Sequence, residues 1–189
     1  MEERVSLLKE KILNSKAEKR PFLVALEGGS ASGKSTLGGA LAKGLDATLV
    51  HMDDFFLRPE QRTAERYKLA GENIDHERFL KEVLIPLSLG KSFSYRPFDC
   101  STMSFGEEIS VEPKNITLIE GTYSCHKALK QYYDLKIFVD CERQTRIERI
   151  RKRNGDTALK MFIERWIPLE EKYFSECRPQ DDCEIILKT

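Results

Sequence analysis

The chain has 189 residues, enough for one domain with a substantial buried core. Hydrophobic residues make up 40% of it and charged residues 33%, and 31 basic side chains balance 31 acidic ones. This balance argues against bulk binding to nucleic acid or to a membrane surface, because both usually need an excess of positive charge. No apolar stretch approaches the roughly 18 residues of a membrane span, and no signal peptide is recognised, so we expect a cytoplasmic protein.

The spacing of apolar residues predicts an α/β chain. Val5, Leu8 and Ile12 recur at helical spacing and predict an amphipathic helix over residues 1–20, followed by the main domain, 21–189. Short apolar runs predict buried strands at 22–26, 48–52, 115–120, 134–140 and 184–187. Helical patterns predict helices at 35–43, 76–89 with a break or end near Pro86, 126–132, 142–153 and 157–175.

Strands that alternate with helices indicate βαβ units and therefore a mostly parallel sheet with helices on both faces, a three-layer architecture. The segment from about 57 to 113 is less regular, and we interpret it as an insert. Within the insert, residues 92–97 and 108–112 are expected to pair as a small ribbon. Asn154-Gly155 is expected to end the basic helix that starts near residue 142.

A glycine-rich loop, GGSASGKS, follows the first predicted strand and fits the phosphate-binding pattern G-x-x-x-x-G-K-[ST]. Its glycines let backbone N–H groups point at a phosphate, and the helix that follows adds its positive end. Lys34 can reach the β and γ phosphates, and the hydroxyl of Ser35 is a ligand for Mg²⁺. This predicts a P-loop NTPase fold whose nucleotide contacts are Gly28, Gly29, Ser30, Ala31, Ser32, Gly33, Lys34, Ser35 and Thr36.

Carboxylates follow two predicted strands, where open parallel sheets bind their ligands. Asp53 is the candidate base for an acceptor hydroxyl, with a helix cap as the alternative, and capping is the role expected for Asp54. Glu120 is the candidate carboxylate for Mg²⁺ and its water, with a solvated loop acid as the alternative. His51 is expected to pack within its strand and His126 to lie exposed on a helix, neither with a functional role.

The basic helix carries Arg146, Arg149 and Arg153 on one face. A row of guanidinium groups suits bidentate contacts to triphosphate oxygens and offsets charge during phosphoryl transfer. The alternative is a solvated face whose arginines pair with Glu142 and Glu148. A nucleic-acid patch is disfavoured, because the net charge is zero and no aromatic residues interleave with the basic ones.

From about residue 22 to 187 the chain resembles the uridine kinase family of P-loop small-molecule kinases, whose cousins include nicotinamide riboside kinase, phosphoribulokinase and pantothenate kinase. GGSASGKS is the loop as that family tends to write it. MDDFF is similar to the element whose first Asp is the catalytic base, which implies that role for Asp53. NIDH resembles the element whose Asp holds ribose hydroxyls, which implies Asp75, with a helix cap as the alternative. IEGTYS supports Glu120 at the metal.

The strand DLKIFVD and the basic helix after it are similar to the strand and lid that close over ATP, which implies a lid at about 143–156. Two departures concern the acceptor and the lid. Uridine kinases frame the pyrimidine with a Tyr and a later His; Tyr95 fits the first position, but the second is Cys100. Asn154 stands in the lid where an Asp is usual.

The resemblance implies an ATP- and Mg²⁺-dependent kinase that phosphorylates a primary hydroxyl of a small molecule, with uridine or cytidine as the leading acceptor. In this interpretation Asp75 and Tyr95 position the acceptor, and the arginines close over the transferring group. Nicotinamide riboside, pantothenate or another non-pyrimidine alcohol is the alternative acceptor. A non-catalytic nucleotide-dependent switch is the alternative function, but a GTPase is disfavoured because the chain has no Asn-Lys-x-Asp element. The choice of ATP over GTP and the oligomeric state stay open, a homo-oligomer included.

Overall fold

The computed structural model describes residues 2–15 and 21–189, so Met1 and residues 16–20 of the expected N-terminal helix lie outside it. In the described part, no helix is both long and apolar enough to cross a bilayer. The α-helices, α1 to α7 in chain order, are Glu2–Ser15, Lys34–Leu45, Ala64–Tyr67, His76–Phe79, Ile85–Ser88, Arg143–Met161 and Ile167–Glu176. The β-strands, β1 to β9, are Phe22–Glu27, Thr48–His51, Phe93–Tyr95, Phe98–Asp99, Ser104–Phe105, Ile109–Val111, Ile116–Glu120, Leu135–Asp140 and Ile185–Lys188.

Five strands form a parallel sheet in the order β2-β7-β1-β8-β9, which confirms the predicted α/β architecture. The central strand β1 is buried along its whole length, and Val24 pairs with Leu118 on one side and with Leu135 on the other. The carboxyl ends of β1, β2 and β7 meet at one edge of the sheet. That edge carries the loop after β1 and the acidic residues after β2 and β7.

The two faces of the sheet build separate hydrophobic clusters, because successive residues of a strand point to opposite faces. Val24 and Leu26 pack with Leu8 and Ile12 of α1 and with residues of α2. Leu23 and Ala25 face the other way, toward a cluster that includes Phe55, Ile74 and Phe79. The N-terminal helix therefore covers one face of the sheet, whereas the segment after β2 covers the other.

The helix expected at 76–89 does not end at Pro86. A π-helical turn, Leu80–Leu84, connects α4 and α5, and the Ile85 N–H donates to the Leu80 carbonyl. The extra residue in this turn changes the hydrogen-bond register just before a residue that has no N–H of its own, so the chain stays helical through Pro86. A π-helical turn also precedes the proline of α7: Phe162–Trp166 leads into Ile167-Pro168.

The ribbon expected within the insert is confirmed, since β3 and β6 pair as antiparallel strands. A second short hairpin, β4 with β5, lies between them. Helix α6 is broken at Gly155, whose φ of 79° and ψ of 172° are non-helical, as the Asn154-Gly155 pair predicts. The helix expected at 126–132 is shorter in the structure: turns lead into a 3₁₀ helix at Lys130–Tyr132.

Candidate active site

The glycine-rich loop crosses the carboxyl edge of the sheet between β1 and α2. Gly28 has a φ of 147°, and a Cβ there would lie 2.5 Å from the Val139 carbonyl oxygen, so only glycine fits. Gly33 has a φ of 103° and leads directly into α2. The Lys34 ammonium is buried and donates to the Gly29 carbonyl at 2.9 Å. The loop thus has the closed shape and central lysine that a polyphosphate requires.

Ser35 and Glu120 come together at the mouth of this loop. The Ser35 hydroxyl donates to Glu120 Oε2 at 3.1 Å. Burial alone would raise the pKa of Glu120, but the hydrogen bond from His51 and the charge of Lys34 hold it below its usual value. The carboxylate stays ionised, and Mg²⁺ prefers hard oxygen ligands of this kind. The oxygen ligands that Ser35 and Glu120 offer therefore fit Mg²⁺.

His51 is not packed within its strand, and that expectation is wrong. Its side chain is 46% exposed, and Nδ1 lies 2.6 Å from Glu120 Oε1. The register explains the contact, because His51 and Glu120 are partners on the neighbouring parallel strands β2 and β7. The hydrogen bond to Glu120 raises the pKa of His51 even though partial burial opposes the charged form.

Asp53 lies in the 3₁₀ turn Met52–Phe55, directly after β2. Its side chain reaches solvent but stands in a cleft where burial raises its pKa. The charge of Lys34 opposes this increase, whereas the carboxylate of Glu120 adds to it. Asp54 does not act as the expected cap, because its Oδ2 accepts a hydrogen bond from the Tyr95 hydroxyl at 3.0 Å.

Two cavities meet at the glycine-rich loop. The first, about 340 Å³, lies along residues 31–37 and the end of β8, and we call it the donor-side cavity. The second, about 210 Å³, includes Asp53 and Glu120, and we call it the acceptor-side cavity. Both are lined by Ala31, Lys34, Ser35 and Arg153. A phosphoryl group at Lys34 could therefore be approached from either cavity.

Asp75 and Tyr95 are not among the residues that line either cavity. Asp75 is 1% exposed and caps α4, since its Oδ1 accepts the Arg78 N–H at 3.1 Å, which is the alternative that the sequence left open. Its Oδ2 lies 3.4 Å from Arg58 Nε. Tyr95 is buried in the core with its hydroxyl bound to Asp54.

The three arginines of α6 turn toward the glycine-rich loop, not toward Glu142 or Glu148. Arg146 is 6% exposed, pairs with Glu170 at 2.6 Å and donates through Nε to the Ser30 carbonyl. Arg149 donates to the carbonyls of Ala31 and Ser32. Arg153 lines both cavities and bonds only to Asn154 among the described residues. Arg146 is thus held by protein partners, whereas Arg153 faces the cavities.

Glu170 was not identified from the sequence, although it lines the acceptor-side cavity. It is 3% exposed and accepts hydrogen bonds from the Ser30 N–H and the Ser30 hydroxyl as well as from Arg146. An acid in a charged helix looks like a surface residue, and nothing in the local sequence marks it as buried. Glu170 and Arg146 together hold one side of the loop in place.

Glu27 is a second residue that sequence analysis missed. Its buried carboxylate accepts the N–H groups of Gly28, Tyr123 and Cys125 and the hydroxyl of Tyr173. Burial raises its pKa to about 7 despite these donors and the Lys34 charge. A charged residue at the end of an apolar strand was the available signal. Glu27 ties the start of the glycine-rich loop to the turn after β7.

His126 is fully buried, so the expectation that it is exposed is wrong. Its ring stacks on His76 at 4.2 Å, and Glu72 Oε2 lies 3.0 Å from His76 Nε2. These three residues have the side chains of a metal site. However, His126 Nδ1 accepts the Ala128 N–H at 3.3 Å, so the proton of the neutral ring sits on Nε2, facing Glu72. The cluster is a polar link between the segment before α4 and the turn after β7.

The parallel sheet, the glycine-rich loop after β1 and the acidic residues beyond β2 and β7 define a P-loop kinase. The chain belongs to the phosphoribulokinase/uridine kinase family, whose model matches residues 23–160. Members of this kinase family transfer phosphoryl groups, which indicates a nucleotide-using phosphotransferase with a small-molecule substrate.

Similar proteins agree with this family. A uridine-cytidine kinase B of Dictyostelium discoideum is 30% identical over 146 residues, which cover 72% of this chain and 59% of that protein. A uridine kinase of Anoxybacillus flavithermus is 28% identical over 85% of this chain and 78% of its own. A solved structure described as a possible uridine kinase from Bacillus stearothermophilus superposes with a TM-score of 0.76 at 20% identity and covers 98% of both chains. The last likeness concerns the fold alone.

Proposed function

We propose that this protein transfers the γ-phosphoryl group of ATP, with Mg²⁺, to a primary hydroxyl of a small molecule. A nucleoside such as uridine or cytidine is the leading acceptor. The observation that carries the proposal is that Asp53 lines the same cavity as Lys34, Ser35 and Glu120. A base, a phosphate-binding cation and two metal ligands within one small cavity are the parts that phosphoryl transfer needs.

The residues on the donor side bind the phosphates of ATP and neutralise their charge. The backbone of residues 28–36 and the Lys34 ammonium hold the phosphates, and Ser35 with Glu120 holds the metal. When bound, Mg²⁺ neutralises charge on the phosphate oxygens. Arg149 and Arg153 contact the phosphates from α6, while Arg146 acts through the loop by bonding to the Ser30 carbonyl. This division follows from the partners and positions of the three side chains. Arg146 is paired with the Glu170 carboxylate, whereas Arg149 and Arg153 line the donor-side cavity and have no carboxylate partner among the described residues.

On the acceptor side, Asp53 takes the proton of the hydroxyl as it attacks. Burial raises the pKa of this carboxyl, which strengthens it as a base. Asp75 and Tyr95 shape the acceptor site from behind, since the hydroxyl of Tyr95 holds Asp54 and the carboxylate of Asp75 caps α4. Closure of the segment at about 143–156 would exclude water that otherwise hydrolyses ATP.

The test measures ADP release across a panel of nucleosides, nicotinamide riboside and pantothenate, with wild type and Asp53→Asn. We expect kcat with the best acceptor to fall by about 10² to 10⁴ in the variant, because asparagine cannot accept the proton. Asp54→Asn is the matched control, since the amide oxygen can still accept from Tyr95, and it should change kcat by only a few-fold. Wild-type turnover that Asp53→Asn leaves unchanged would remove the base assignment.

A nucleotide-dependent switch without chemistry remains the other outcome of the same panel. No turnover with any acceptor, together with tight nucleotide binding, would favour that function. The retained carboxylate at Asp53 argues for catalysis, because a protein that only binds nucleotide has no use for a base in the acceptor-side cavity.

A further inference from the structure

One wall of the acceptor-side cavity carries an arginine that sequence analysis did not single out. Arg62 lines this cavity together with Asp53, Asn73 and Cys100. Its Nε donates to the Leu57 carbonyl at 2.8 Å, and one terminal nitrogen donates to Cys100 Sγ at 3.1 Å. These two bonds hold the plane of the guanidinium, which also lies 5.9 Å from the centre of the Phe98 ring.

The remaining N–H groups of Arg62 have no partner in the described structure. A guanidinium has five N–H donors, and only two of them are used here. Neither acceptor is a carboxylate, so the positive charge at this wall is not paired within residues 2–15 and 21–189. The open donors belong to the two terminal nitrogens, which form a planar fork.

The three arginines that lie nearest to Arg62 along the described chain differ from it. Arg58 lies 2.9 Å from Glu60, Arg66 lies 2.8 Å from Glu77, and Arg78 lies 3.2 Å from Glu82. Each of these guanidinium groups therefore has an acidic partner within the protein. Arg62 has no acidic partner among residues 2–15 and 21–189, and it is the one of these four arginines that lines the acceptor-side cavity. An oriented, unpaired fork at a cavity wall is a recognition group for a ligand.

Building on the proposed function, we propose that Arg62 determines acceptor specificity by binding a planar edge with two adjacent hydrogen-bond acceptors. A carboxylate presents such an edge, and so do O2 and N3 of cytosine. Uracil does not, because its N3 carries a hydrogen and would point a donor at the fork. Since Arg62 and Asp53 line one cavity of about 210 Å³, a single small molecule can contact both with different groups.

If Arg62 binds this edge, the enzyme should prefer one of two acceptors that differ only there. Cytidine and uridine share the ribose hydroxyl that Asp53 would activate and differ at the edge that Arg62 would bind. Pantothenate and its primary amide likewise share the hydroxyl but differ in the carboxylate. A good bidentate contact discriminates by about 10- to 100-fold, so the preferred member of one pair should exceed the other by that factor in kcat/KM.

The experiment measures kcat/KM for both pairs with wild type, Arg62→Lys and Arg62→Gln. We expect wild type to prefer the two-acceptor member of one pair by about 10- to 100-fold, and both variants to reduce that preference to a few-fold. The other member of that pair should change little. Arg178→Gln, which removes an exposed guanidinium paired with Asp181, is the control and should keep the wild-type preference.

The two pairs of compounds distinguish the two chemical groups that can present this edge. Preference within the nucleoside pair identifies a cytosine edge, and preference within the pantothenate pair identifies a carboxylate, whose binding should also weaken as salt increases. Equal use of both members of both pairs by wild type would overturn the proposal, as would variants that reduce both members equally.

Binding is measured separately, so that failure of catalysis does not hide the result. Isothermal titration of the four compounds into Asp53→Asn, with and without Arg62→Lys, requires no turnover. A preference that disappears with Arg62→Lys would support the role of Arg62 even if no acceptor is phosphorylated, which would overturn only the proposed function. Binding without preference, or no binding of any of the four, would overturn the inference about Arg62 and leave the kinase proposal to the turnover panel.

Discussion

The donor side and the acceptor side of this protein are built in different ways. The donor side is one continuous stretch, residues 28–36, supported by the end of β8 and by α6. The acceptor side takes its residues from the segment after β2, the hairpin at Cys100, the end of β7 and α7. In the proposed function, backbone groups hold phosphate on the first side, whereas side chains from distant segments form the second. We therefore expect recognition of the donor to be generic and recognition of the acceptor to depend on particular side chains.

The difference has a measurable consequence. A change on the donor side should affect every acceptor to the same extent, because all acceptors meet the same phosphoryl group. A change at Arg62 should instead alter the ratio between acceptors. We call the residues that join the two sides, namely Glu27, Arg146 and Glu170, the junction. A change at the junction should affect folding before it affects binding of the donor or of the acceptor.

The largest effect is expected at the buried ion pair of Arg146 and Glu170. Replacing Arg146 by Met leaves the Glu170 carboxylate, 3% exposed, with Ser30 as its one remaining hydrogen-bond partner in the described structure. An uncompensated buried charge costs about 3–5 kcal/mol, so the free energy of unfolding in urea should fall by that amount. Arg143→Met removes an exposed pair with Glu171 and should cost at most about 1 kcal/mol. Equal losses in the two variants would show that the buried pair does not hold the loop.

The next effect is expected at Lys34 on the donor side. Lys34→Met removes the buried ammonium beside the Gly29 carbonyl and should lower kcat/KM by about 10² to 10³, the usual loss when one group that stabilises transition-state charge is removed. The loss should be the same for every acceptor tested. Lys43→Met, an exposed lysine near the end of the same helix, is the control. A loss that differs strongly between acceptors would break the distinction between the two sides.

The smallest effect is a pH dependence at Glu27, which belongs to the junction. Its folded-state pKa is about 7, above the ordinary value of 4.5, so the folded state binds more protons than the unfolded state. The contribution of Glu27 to the free energy of unfolding is complete below pH 4.5. It is lost as the pH rises through about 7, and the total loss is about 3 kcal/mol.

This dependence is measured by comparing wild type with Glu27→Gln, which cannot ionise. The unfolding free energy of wild type should decline relative to the variant between about pH 4.5 and pH 7. A constant difference across that range would mean that the four hydrogen-bond donors around Glu27 keep its pKa near the ordinary value. Asp46→Asn, an exposed acid outside the junction, provides the reference for general pH effects.

Local patterns predicted much of the fold and the donor side. The glycine spacing and the apolar run before it are sufficient to place a loop of this shape between a strand and a helix, and the parallel sheet follows from the alternation of strands and helices. The pairing of β3 with β6 was also predicted, from residues 92–97 and 108–112. The roles of Asp53 and Glu120 in catalysis stay predictions.

The histidines and the buried acids could not be predicted in the same way. His51 lies in a strand whose pattern looks buried, but it is at the sheet edge, where its side chain reaches Glu120 on the neighbouring strand. Glu170 belongs to a charged helix, and its burial depends on how α7 packs against the glycine-rich loop. Burial of a polar group is set by what packs on it, and that information is not local in sequence.

The sequence by itself determined the glycine-rich loop, the parallel α/β architecture and the family, because these depend on backbone geometry and on patterns within short segments. Only the tertiary structure decided which charges are paired and which are open. Arg146 and Arg62 are the same residue type in similarly polar segments, yet one is held by Glu170 and the other faces the acceptor-side cavity without an acidic partner in the described structure. Electrostatic energy depends on distances between residues far apart in the chain, and only the folded arrangement supplies those distances.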